Sequence, residues 1–412
     1  MKDESTIGAD YLFDGDSCIL EDVCITMTDG KIKHIGKGKR KAKIVLESAV
    51  ILPGLVNAHT HFELSGLRAQ EESADFVEWL YRMRLKIDKT SLEDLSRASR
   101  EGIREAIRSG TTAVVEHTNT GASIEPITDS PVRSVIALEV VGYDSSQIEK
   151  KKEWILSNIK RIGKTEMRRI GLAPHSAYRA STELLRFSAE LAKRNDLLIS
   201  IHTSETLEEV EFFKKGTGRL PALLKQFGAS LDSIKGNFKT PIEFLDSLGL
   251  VNNRSLLIHC NYPEKSDISL IKSRGAAVVY CPRSHSFFKH FTHPFEILLE
   301  HKIPVVFGTD SLASTPSLSI LDELKFVKKN RPYISAQRLF SLATKTAAQL
   351  IFGKEFGILK ENAPADFCAI KLPEKCRSDN VLETALSNES EVVLTAVSAK
   401  ILFFYNSPYR SA

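Results

Sequence analysis

The sequence lacks the features that direct a chain to a membrane or out of the cell. Its first residues, MKDESTIGAD, carry no charged-then-apolar signal pattern, and no apolar run approaches the length that spans a bilayer. The six cysteines show no framework spacing, and Cys18 and Cys24 are too far apart for a Cys-x-x-Cys motif. We therefore expect reduced thiols in a cytoplasmic protein with no membrane partner.

Concentrated charge is missing as well. The formal net charge is only +4 over 412 residues and the basic residues are dispersed, so nothing favours a nucleic-acid partner. Internal repeats and low-complexity segments are also absent from the sequence. A hydrophobic content of 42% and a charged content of 26% are typical of a globular protein, and the length accommodates one large domain plus a smaller one.

The two ends of the chain carry strand patterns. Residues 1–50 alternate short apolar runs with Asp-Gly turns at 14–15 and 29–30, which is the strongest short signal for a β-hairpin. Residues 365–372 and 392–405 predict further strands. We expect residues 1–50 and 365–412 to form one small β-sandwich domain.

Between these ends, apolar strands alternate with amphipathic helices, which indicates parallel βα units. Eight such units over residues 51–364 predict a closed (β/α)₈ TIM barrel, and no Gly-x-Gly-x-x-Gly follows the first strand to favour an open doubly wound sheet. Residues 208–248 are too long for a plain connection and predict a helical insertion over the barrel mouth. The predicted strands are 50–56, 111–115, 132–140, 170–173, 197–201, 255–258, 276–280 and 303–307.

A His-x-His pair follows the first predicted strand, in the stretch LPGLVNAHTHFEL at residues 52–64. Side chains at i and i+2 of a strand point to the same face, so His59 and His61 can grip one ion together. Imidazole nitrogen is a ligand for zinc and neighbouring first-row metals. Taken alone, the pair is equally consistent with two ordinary loop histidines.

Further ionisable residues follow the later strands. Each has a plain structural explanation by itself: a satisfied core histidine, a carboxylate that caps a helix, or a negative charge at a helix start. Chemistry in a TIM barrel lies at the C-terminal ends of its strands, so their recurrence there indicates an active site. These residues are His175, His202, Glu205, His259 and Asp310.

The motifs PGLVNAHTH, HTSE, LLIHC, FGTDS and the late ADF segment resemble the amidohydrolase superfamily over nearly the whole chain. Within it, FVEWL, APHS and FGTDSLASTPSLSILDEL are similar to deaminases of adenosine-type compounds, which act on S-adenosylhomocysteine, methylthioadenosine and aminodeoxyfutalosine. The first set of motifs is very specific and the second moderately so.

The resemblance implies a TIM-barrel hydrolase with one divalent metal ion, zinc before iron. Three neutral nitrogens and one carboxylate leave room for a water, as a catalytic site requires. Binuclear relatives use a carboxylated Lys on strand four or a Glu on strand three. No Lys ends strand four here, but Glu139 lies in strand three, so one metal is expected and a second is left open. The implied ligands are His59, His61, His202 and Asp310.

The resemblance also implies catalytic and substrate-binding roles. Asp310 is expected to take a proton from the attacking water, Glu205 to carry protons to the heterocycle nitrogen and the leaving amine, and His259 to orient the water and stabilise the tetrahedral intermediate. Glu78 and His175 match positions that bind ribose hydroxyls, although Glu78 also fits an exposed helix residue. Arg283 predicts a fork for a substrate carboxylate, with a structural ion pair as the alternative. 

The expected function is a deaminase that releases ammonia from a small molecule, first of all an adenosine derivative such as aminodeoxyfutalosine. The runner-up is an amidohydrolase of guanine, a triazine or a cyclic amide, because the fold does not settle the substrate. From another class, a non-catalytic relative that keeps the barrel for assembly is expected to have lost ligands, and this chain has kept them. A homodimer is a further expectation.

Overall fold

The computed structural model describes residues 4–68, 75–143, 145–229 and 240–405. Two sheets organise this part of the chain: an eight-stranded parallel sheet and a seven-stranded mixed sheet. The (β/α)₈ barrel and the small β unit built from both chain ends, which the sequence predicts, are therefore confirmed.

The strands follow one another in three groups. The first four and the last three form the mixed sheet, and the eight between them form the barrel. In chain order they are β1 (Ser5–Phe13), β2 (Ile19–Thr28), β3 (Lys31–Lys37), β4 (Ile44–Pro53), β5 (Leu55–Thr60), β6 (Thr111–Thr118), β7 (Arg133–Val140), β8 (Arg168–Pro174), β9 (Leu198–Thr203), β10 (Ser255–His259), β11 (Ala277–Tyr280), β12 (Val305–Phe307), β13 (Phe367–Lys371), β14 (Glu391–Val397) and β15 (Lys400–Phe404).

Helices connect the barrel strands and cover their outer face. Side-chain caps begin several of them; Ser181, for example, accepts a hydrogen bond from the backbone of Leu184. The α-helices are α1 (Phe76–Lys89), α2 (Leu92–Arg108), α3 (Ile124–Asp129), α4 (Ser145–Ile162), α5 (Thr182–Asn195), α6 (Leu207–Lys215), α7 (Leu220–Gln226), α8 (Pro241–Ser247), α9 (Lys265–Arg274), α10 (Pro282–Phe287), α11 (Phe295–Glu300), α12 (Ile320–Asn330), α13 (Ala336–Ser341), α14 (Ala347–Phe352) and α15 (Val381–Ala385).

The mixed sheet is hydrogen-bonded as one continuous sheet, in the order β15-β14-β13-β4-β1-β2-β3. Its hairpin between β2 and β3 turns at Asp29 and Gly30, with φ values of 50° and 78°. Positive φ at both central residues is the type I′ geometry that matches the twist of the flanking strands. The Asp-Gly signal in the sequence therefore identified this turn correctly.

One predicted strand, residues 50–56, spans two strands of different sheets. Gly54 separates β4 from β5: its N–H donates to Asp366 of the mixed sheet, and the next N–H, of Leu55, donates to Gly110 beside the barrel. A Cβ on Gly54 would lie 2.0 Å from the Thr112 hydroxyl, so only glycine fits this crossing. Because both strands are buried, the apolar run continues across the boundary and hides it.

The barrel interior is apolar at one end and polar at the other. Every second residue of a barrel strand points into the interior, and the last such residue of each strand lies near the C-terminal end of the barrel. Between β12 and β5, Thr60 pairs with Asp310 and completes the ring. Three interior rows are Ala113, Val115 and His117 on β6; Val135, Ala137 and Glu139 on β7; and Leu198, Ser200 and His202 on β9.

The predicted insertion, residues 208–248, contains nearly all of α6 and the whole of α7 and α8, while residues 230–239 lie outside the described residues. Arg219, just before α7, pairs with Asp75 at 2.8 Å and ties the insertion to the start of α1. Within the described ranges, no helix combines the length and apolar character needed to cross a membrane.

Candidate metal and catalytic site

Four predicted ligands converge at the C-terminal end of the barrel. The Nε2 atoms of His59 and His202 lie 3.2 Å apart. Asp310 Oδ1 lies 3.6 Å from His59 Nε2 and 3.8 Å from His61 Nε2. All four side chains are buried, with at most 9% of any residue exposed. Donor atoms at these separations can share one ion at the usual distance of roughly 2.0–2.2 Å.

Neighbouring groups orient these side chains. His202 donates a hydrogen bond from Nδ1 to the His175 carbonyl at 2.6 Å, so its Nε2 keeps a free lone pair. Asp310 Oδ2 accepts hydrogen bonds from the Ser284 and Ser314 hydroxyls, each at 2.8 Å. Partners of this kind fix the orientation of metal ligands in proteins.

The protonation states also suit a metal. Burial lowers the pKa of His59 well below its usual range and that of His61 to about 4, so both rings are neutral near pH 7. Although burial works in the opposite direction, contact with His59 holds the pKa of Asp310 well below its usual range. Neutral imidazoles and an ionised carboxylate are the forms that bind a divalent cation, so this donor set fits one.

Glu205 and His259 lie beside the ligands. Their side chains approach to 3.4 Å between Oε1 and Nε2. Burial, with the nearby Asp310 charge, raises the pKa of Glu205 well above its usual range, and burial lowers the pKa of His259. His259 is thus a neutral ring near pH 7, and Glu205 keeps its proton to higher pH than an ordinary carboxyl does. Such a pair can donate and accept protons in acid–base chemistry.

His117 belongs to the same cluster, although the sequence analysis did not identify it. Its ring lies within the group of histidines whose ligand atoms are all within 4.8 Å of one another, together with His59, His61 and His202. Its Nε2 lies 2.7 Å from the Ser200 hydroxyl. The predicted strand ended at residue 115, whereas β6 continues to Thr118. Extending the alternation of residues 113 and 115 by one step would have found it.

Two buried carboxylates were also missed. Glu116 accepts the Phe62 N–H with both oxygens, at 3.1 and 2.9 Å, and holds the turn after the His-x-His pair. Glu63 accepts hydrogen bonds from Thr118 and from backbone N–H groups of the loop after β6, including that of Thr120 at 3.2 Å. Both residues secure loops around the metal ligands, and no local sequence pattern indicates these long-range contacts.

Glu139 lies deeper, at the end of β7. Its Oε1 is 3.6 Å from His61 Nδ1 and 3.8 Å from His117 Nδ1. Among the described residues, neither Glu139 Oε1 nor His117 Nδ1 has a hydrogen-bond partner. The carboxylate therefore faces the opposite nitrogen of His61 from the one that approaches Asp310.

A cavity of about 230 Å³ opens onto the cluster. The first two turns of α1 give it an apolar and aromatic wall, with Phe76, Trp79, Leu80 and Met83. Concave sites with apolar walls and a few convergent polar groups are typical of small-molecule binding. Most of the polar side chains that line it belong to the cluster and its surroundings, while Arg84, Asp88 and Thr90 line it on the α1 side, where Arg84 pairs with Asp88 at 2.7 Å. The polar residues near the cluster are His61, Glu63, His117, Asn119, Thr120, Glu139, His175, Arg179, His202, Glu205, His259, Asp310 and Ser311.

The predicted substrate-binding residues are placed differently from one another. His175 lines this cavity, with its Nδ1 unpartnered in the described structure. Glu78 and Arg283 do not belong to the lining. The Glu78 side chain is 43% exposed and pairs with Arg82 at 2.7 Å. Arg283 is engaged by Glu323 at 2.8 Å and by the Ser317 hydroxyl at 2.9 Å. The structural alternative is thus favoured for Arg283.

A family model described as the amidohydrolase family matches residues 50–402 of the chain. A curated relative, the 5-methylthioadenosine/S-adenosylhomocysteine deaminase of Pyrococcus abyssi, is 25% identical over 384 residues. That match covers 90% of this chain and 83% of the relative. The family match includes every predicted metal ligand and every predicted catalytic residue.

Two solved structures share the fold. The aminofutalosine deaminase of Helicobacter pylori, in complex with methylthio-coformycin, has a TM-score of 0.82 and 24% identity, covering 97% of this chain and 100% of that one. The atrazine chlorohydrolase of Arthrobacter aurescens, complexed with zinc, has a TM-score of 0.80 and 22% identity, covering 97% of this chain and 95% of that one.

Proposed function

The chain belongs to the amidohydrolase family, and we propose that it is a metal-dependent aminohydrolase that removes the exocyclic amine of an adenosine derivative. One observation carries the proposal: three imidazoles and one carboxylate converge beside a cavity that is also lined by Glu205, whose pKa burial raises, and His259, whose pKa burial lowers. The likeness to an adenosine-type deaminase of Pyrococcus abyssi over 90% of the chain supports it.

We propose one divalent metal ion, held by the four converging ligands, with zinc the first choice and iron the second. When bound, such an ion supplies a Lewis acid that brings the pKa of water toward neutrality. Imidazole-rich sites take zinc readily, and the structurally similar atrazine chlorohydrolase was crystallised with it. The ligands would be His59, His61, His202 and Asp310.

The protein side chains then supply the proton transfers. Water adds to the amine-bearing carbon of the purine, and Asp310 accepts one of its protons. Glu205, whose pKa is raised by burial, donates a proton to the adjacent ring nitrogen. Glu205 then takes the proton of the new hydroxyl and passes it to the amine, so that ammonia leaves and a carbonyl remains, and the proton held by Asp310 restores Glu205. His259, whose Nε2 is unpartnered among the described residues, faces the cavity and stabilises the developing charge.

The leading substrate is an adenosine derivative with a group at the 5′ side, and aminodeoxyfutalosine is the first named candidate. The apolar wall of α1 supports a substituent of this kind, since it offers area that adenosine alone does not need. In this proposal His175 contacts the ribose from within the cavity. Glu78 stays a proposed ribose ligand, although its carboxylate points to Arg82 in this structure.

A second candidate is the hydrolysis of guanine, a triazine or a cyclic amide. The structural likeness to atrazine chlorohydrolase supports this candidate, because the same fold extends over 97% of this chain and 95% of that one. The non-catalytic assembly role is disfavoured, since the ligands and both acid–base groups are all present and brought together.

The compartment, the partners and the oligomeric state of the protein also stay predictions. We propose a cytoplasmic enzyme without nucleic-acid or membrane partners, which acts as a homodimer on a small molecule. The small net charge of +4 and six free cysteines are consistent with that setting.

Ammonia release from purified, metal-loaded protein tests the function. The panel contains aminodeoxyfutalosine, 5-methylthioadenosine, adenosine, guanine, a triazine and a cyclic amide. We expect kcat/KM to be highest for a 5′-substituted adenosine. Turnover of the triazine or the cyclic amide alone would contradict the proposal and establish the second candidate.

A further inference from the structure

Arg179 occupies the loop between β8 and α5, and it lines the same cavity as Glu205 and His259. Only 6% of the residue is exposed. Its guanidinium carbon lies 5.3 Å from the centre of the Phe227 ring, which follows α7 in the insertion. The charge is therefore nine-tenths buried and lies on the side of the cavity that faces the insertion.

No carboxylate of the described residues pairs with this charge. The Nε of Arg179 is buried without a hydrogen-bond partner in the described structure. Other largely buried arginines behave differently: Arg133 pairs with Asp366, Arg283 with Glu323 and Arg331 with Glu296. Burying a cation without a counter-charge is costly, so the position of Arg179 in the cavity lining indicates an anion supplied from outside.

The surroundings define the anion further. Arg179 and His175, four residues apart in the same loop, both line the cavity. Across the cavity stand the apolar side chains of Phe76 and Met83. A ligand group that crosses this region therefore needs an apolar body and one negative end. A planar guanidinium binds a carboxylate with two parallel hydrogen bonds, so the one guanidinium of Arg179 matches a ligand with one carboxylate.

We propose that Arg179 binds a carboxylate at the outer end of an apolar 5′ substituent on the nucleoside substrate. This inference rests on the proposed deaminase function and names the residue that selects the substrate class. The reacting amine lies at the metal ligands, the sugar lies beside His175, and the carboxylate reaches Arg179 next to Phe227.

The test compares two adenosine derivatives that differ in one charge: one carries a benzoate on its 5′ side, and the other carries the methyl ester of that benzoate. Arg179→Met should lower the ratio of their kcat/KM values by about 10–100-fold, which is the worth of a charge-assisted contact. Arg179→Lys keeps the charge without the planar fork and should recover part of the ratio. The matched control is Arg186→Met, which removes an exposed arginine from α5 and should leave the ratio within about twofold.

Each outcome separates the inference from the function beneath it. If wild-type protein deaminates both compounds and Arg179→Met keeps the wild-type ratio, the assignment of Arg179 is overturned while the deaminase function stands. If wild-type protein deaminates adenosine or 5-methylthioadenosine but neither benzoate compound, the inference falls alone; if it deaminates none of the four, the function and the inference fall together. If the melting curve shows that Arg179→Met does not fold, the test rests on Arg179→Lys. A kcat/KM ratio in Arg179→Lys equal to that of wild type would then show that the planar guanidinium is not needed, and would overturn the inference.

Discussion

The backbone N–H and the ring Nδ1 of His202 both donate to the carbonyl oxygen of His175, at 3.0 and 2.6 Å. This double contact joins the ends of β8 and β9 and fixes the tautomer of His202. Its Nε2 is thereby turned toward His59 with a free lone pair. The cavity residue His175 thus takes part in two ways: its backbone orients a metal ligand, and its ring faces the space proposed for the ribose.

The first prediction concerns the metal. Purified protein should carry close to one zinc or iron per chain, because the four ligand atoms converge on one point. His59→Ala and His202→Ala each remove a ligand and should lose both the metal and ammonia release. Elemental analysis after gel filtration measures the stoichiometry.

The control for this prediction is His301→Ala, which removes an exposed histidine whose ring lies 2.8 Å from the Ile297 carbonyl. It should keep the metal content of wild type. Full occupancy in His59→Ala and His202→Ala would show that the ligand assignment is wrong. A reproducible value of two metals in the native protein would bring Glu139 and His117 into the site.

The second prediction concerns proton transfer by Glu205. Glu205→Gln keeps the shape of the side chain but cannot exchange a proton near pH 7. General acid–base catalysis typically contributes about 10²–10⁴-fold, so kcat should fall by at least that range while the metal stays bound. Glu190→Gln, on the exposed face of α5, is the matched control and should retain kcat. Near-normal turnover by Glu205→Gln would leave Glu205 as a mere helix-start charge.

The fold was predictable because its signals are local. Alternation, turn residues and strand-end histidines repeat along the chain, and a strand needs only its own residues to show them. The predicted ligands His59, His61 and His202 were chosen from their positions at strand ends, and the folded chain brings them together. His117 was missed because the predicted strand stopped too early, not because its signal was absent.

Other features depend on partners far away in sequence. The crossing at Gly54 requires Thr112 and Asp366, which no local pattern connects to it. The same holds for arginines: sequence alone does not distinguish Arg283, which is saturated by Glu323, from Arg179, which has no acid partner among the described residues. Only the folded chain reveals which cation is left for a ligand.

The third prediction concerns stability and pH at Glu209. Its Oε2 accepts the Glu205 N–H at 2.8 Å, and burial raises its pKa from 4.5 to about 8. Between about pH 4.5 and 8, the folded chain therefore holds a proton on Glu209 that the unfolded chain has already lost. Stability should fall as pH rises through this window, and Glu209→Gln should remove that part of the loss.

Urea unfolding of wild type and Glu209→Gln, at pH 5 and pH 8 with equal metal loading, measures the effect. The difference between the two proteins should change by about 1–4 kcal/mol between these pH values, since one pKa unit corresponds to about 1.4 kcal/mol. A difference that does not vary with pH would mean that Glu209 ionises normally in the folded chain.

The last prediction concerns Arg283, whose guanidinium donates to Glu323, to the Ser317 hydroxyl and carbonyl, and to the Ser319 carbonyl. Glu323 is fully buried. Arg283→Met leaves that carboxylate without its counter-charge, so it should cost about 3–5 kcal/mol of unfolding free energy. Its kcat/KM should fall by the same factor for the benzoate substrate and for its methyl ester, because the residue acts through the loop and not on the carboxylate.

Arg274→Met is the matched control for this change. Arg274 also makes two hydrogen bonds to an acid, Asp246, but its side chain is 51% exposed, so its loss should cost less than about 1 kcal/mol. A selective loss of activity on the benzoate in Arg283→Met would reverse the assignment, because a residue with only a structural role has no means of sensing one charge on the substrate. That result, with an unchanged ratio in Arg179→Met, would show that the substrate carboxylate is bound by Arg283, after the end of β11, and not by Arg179.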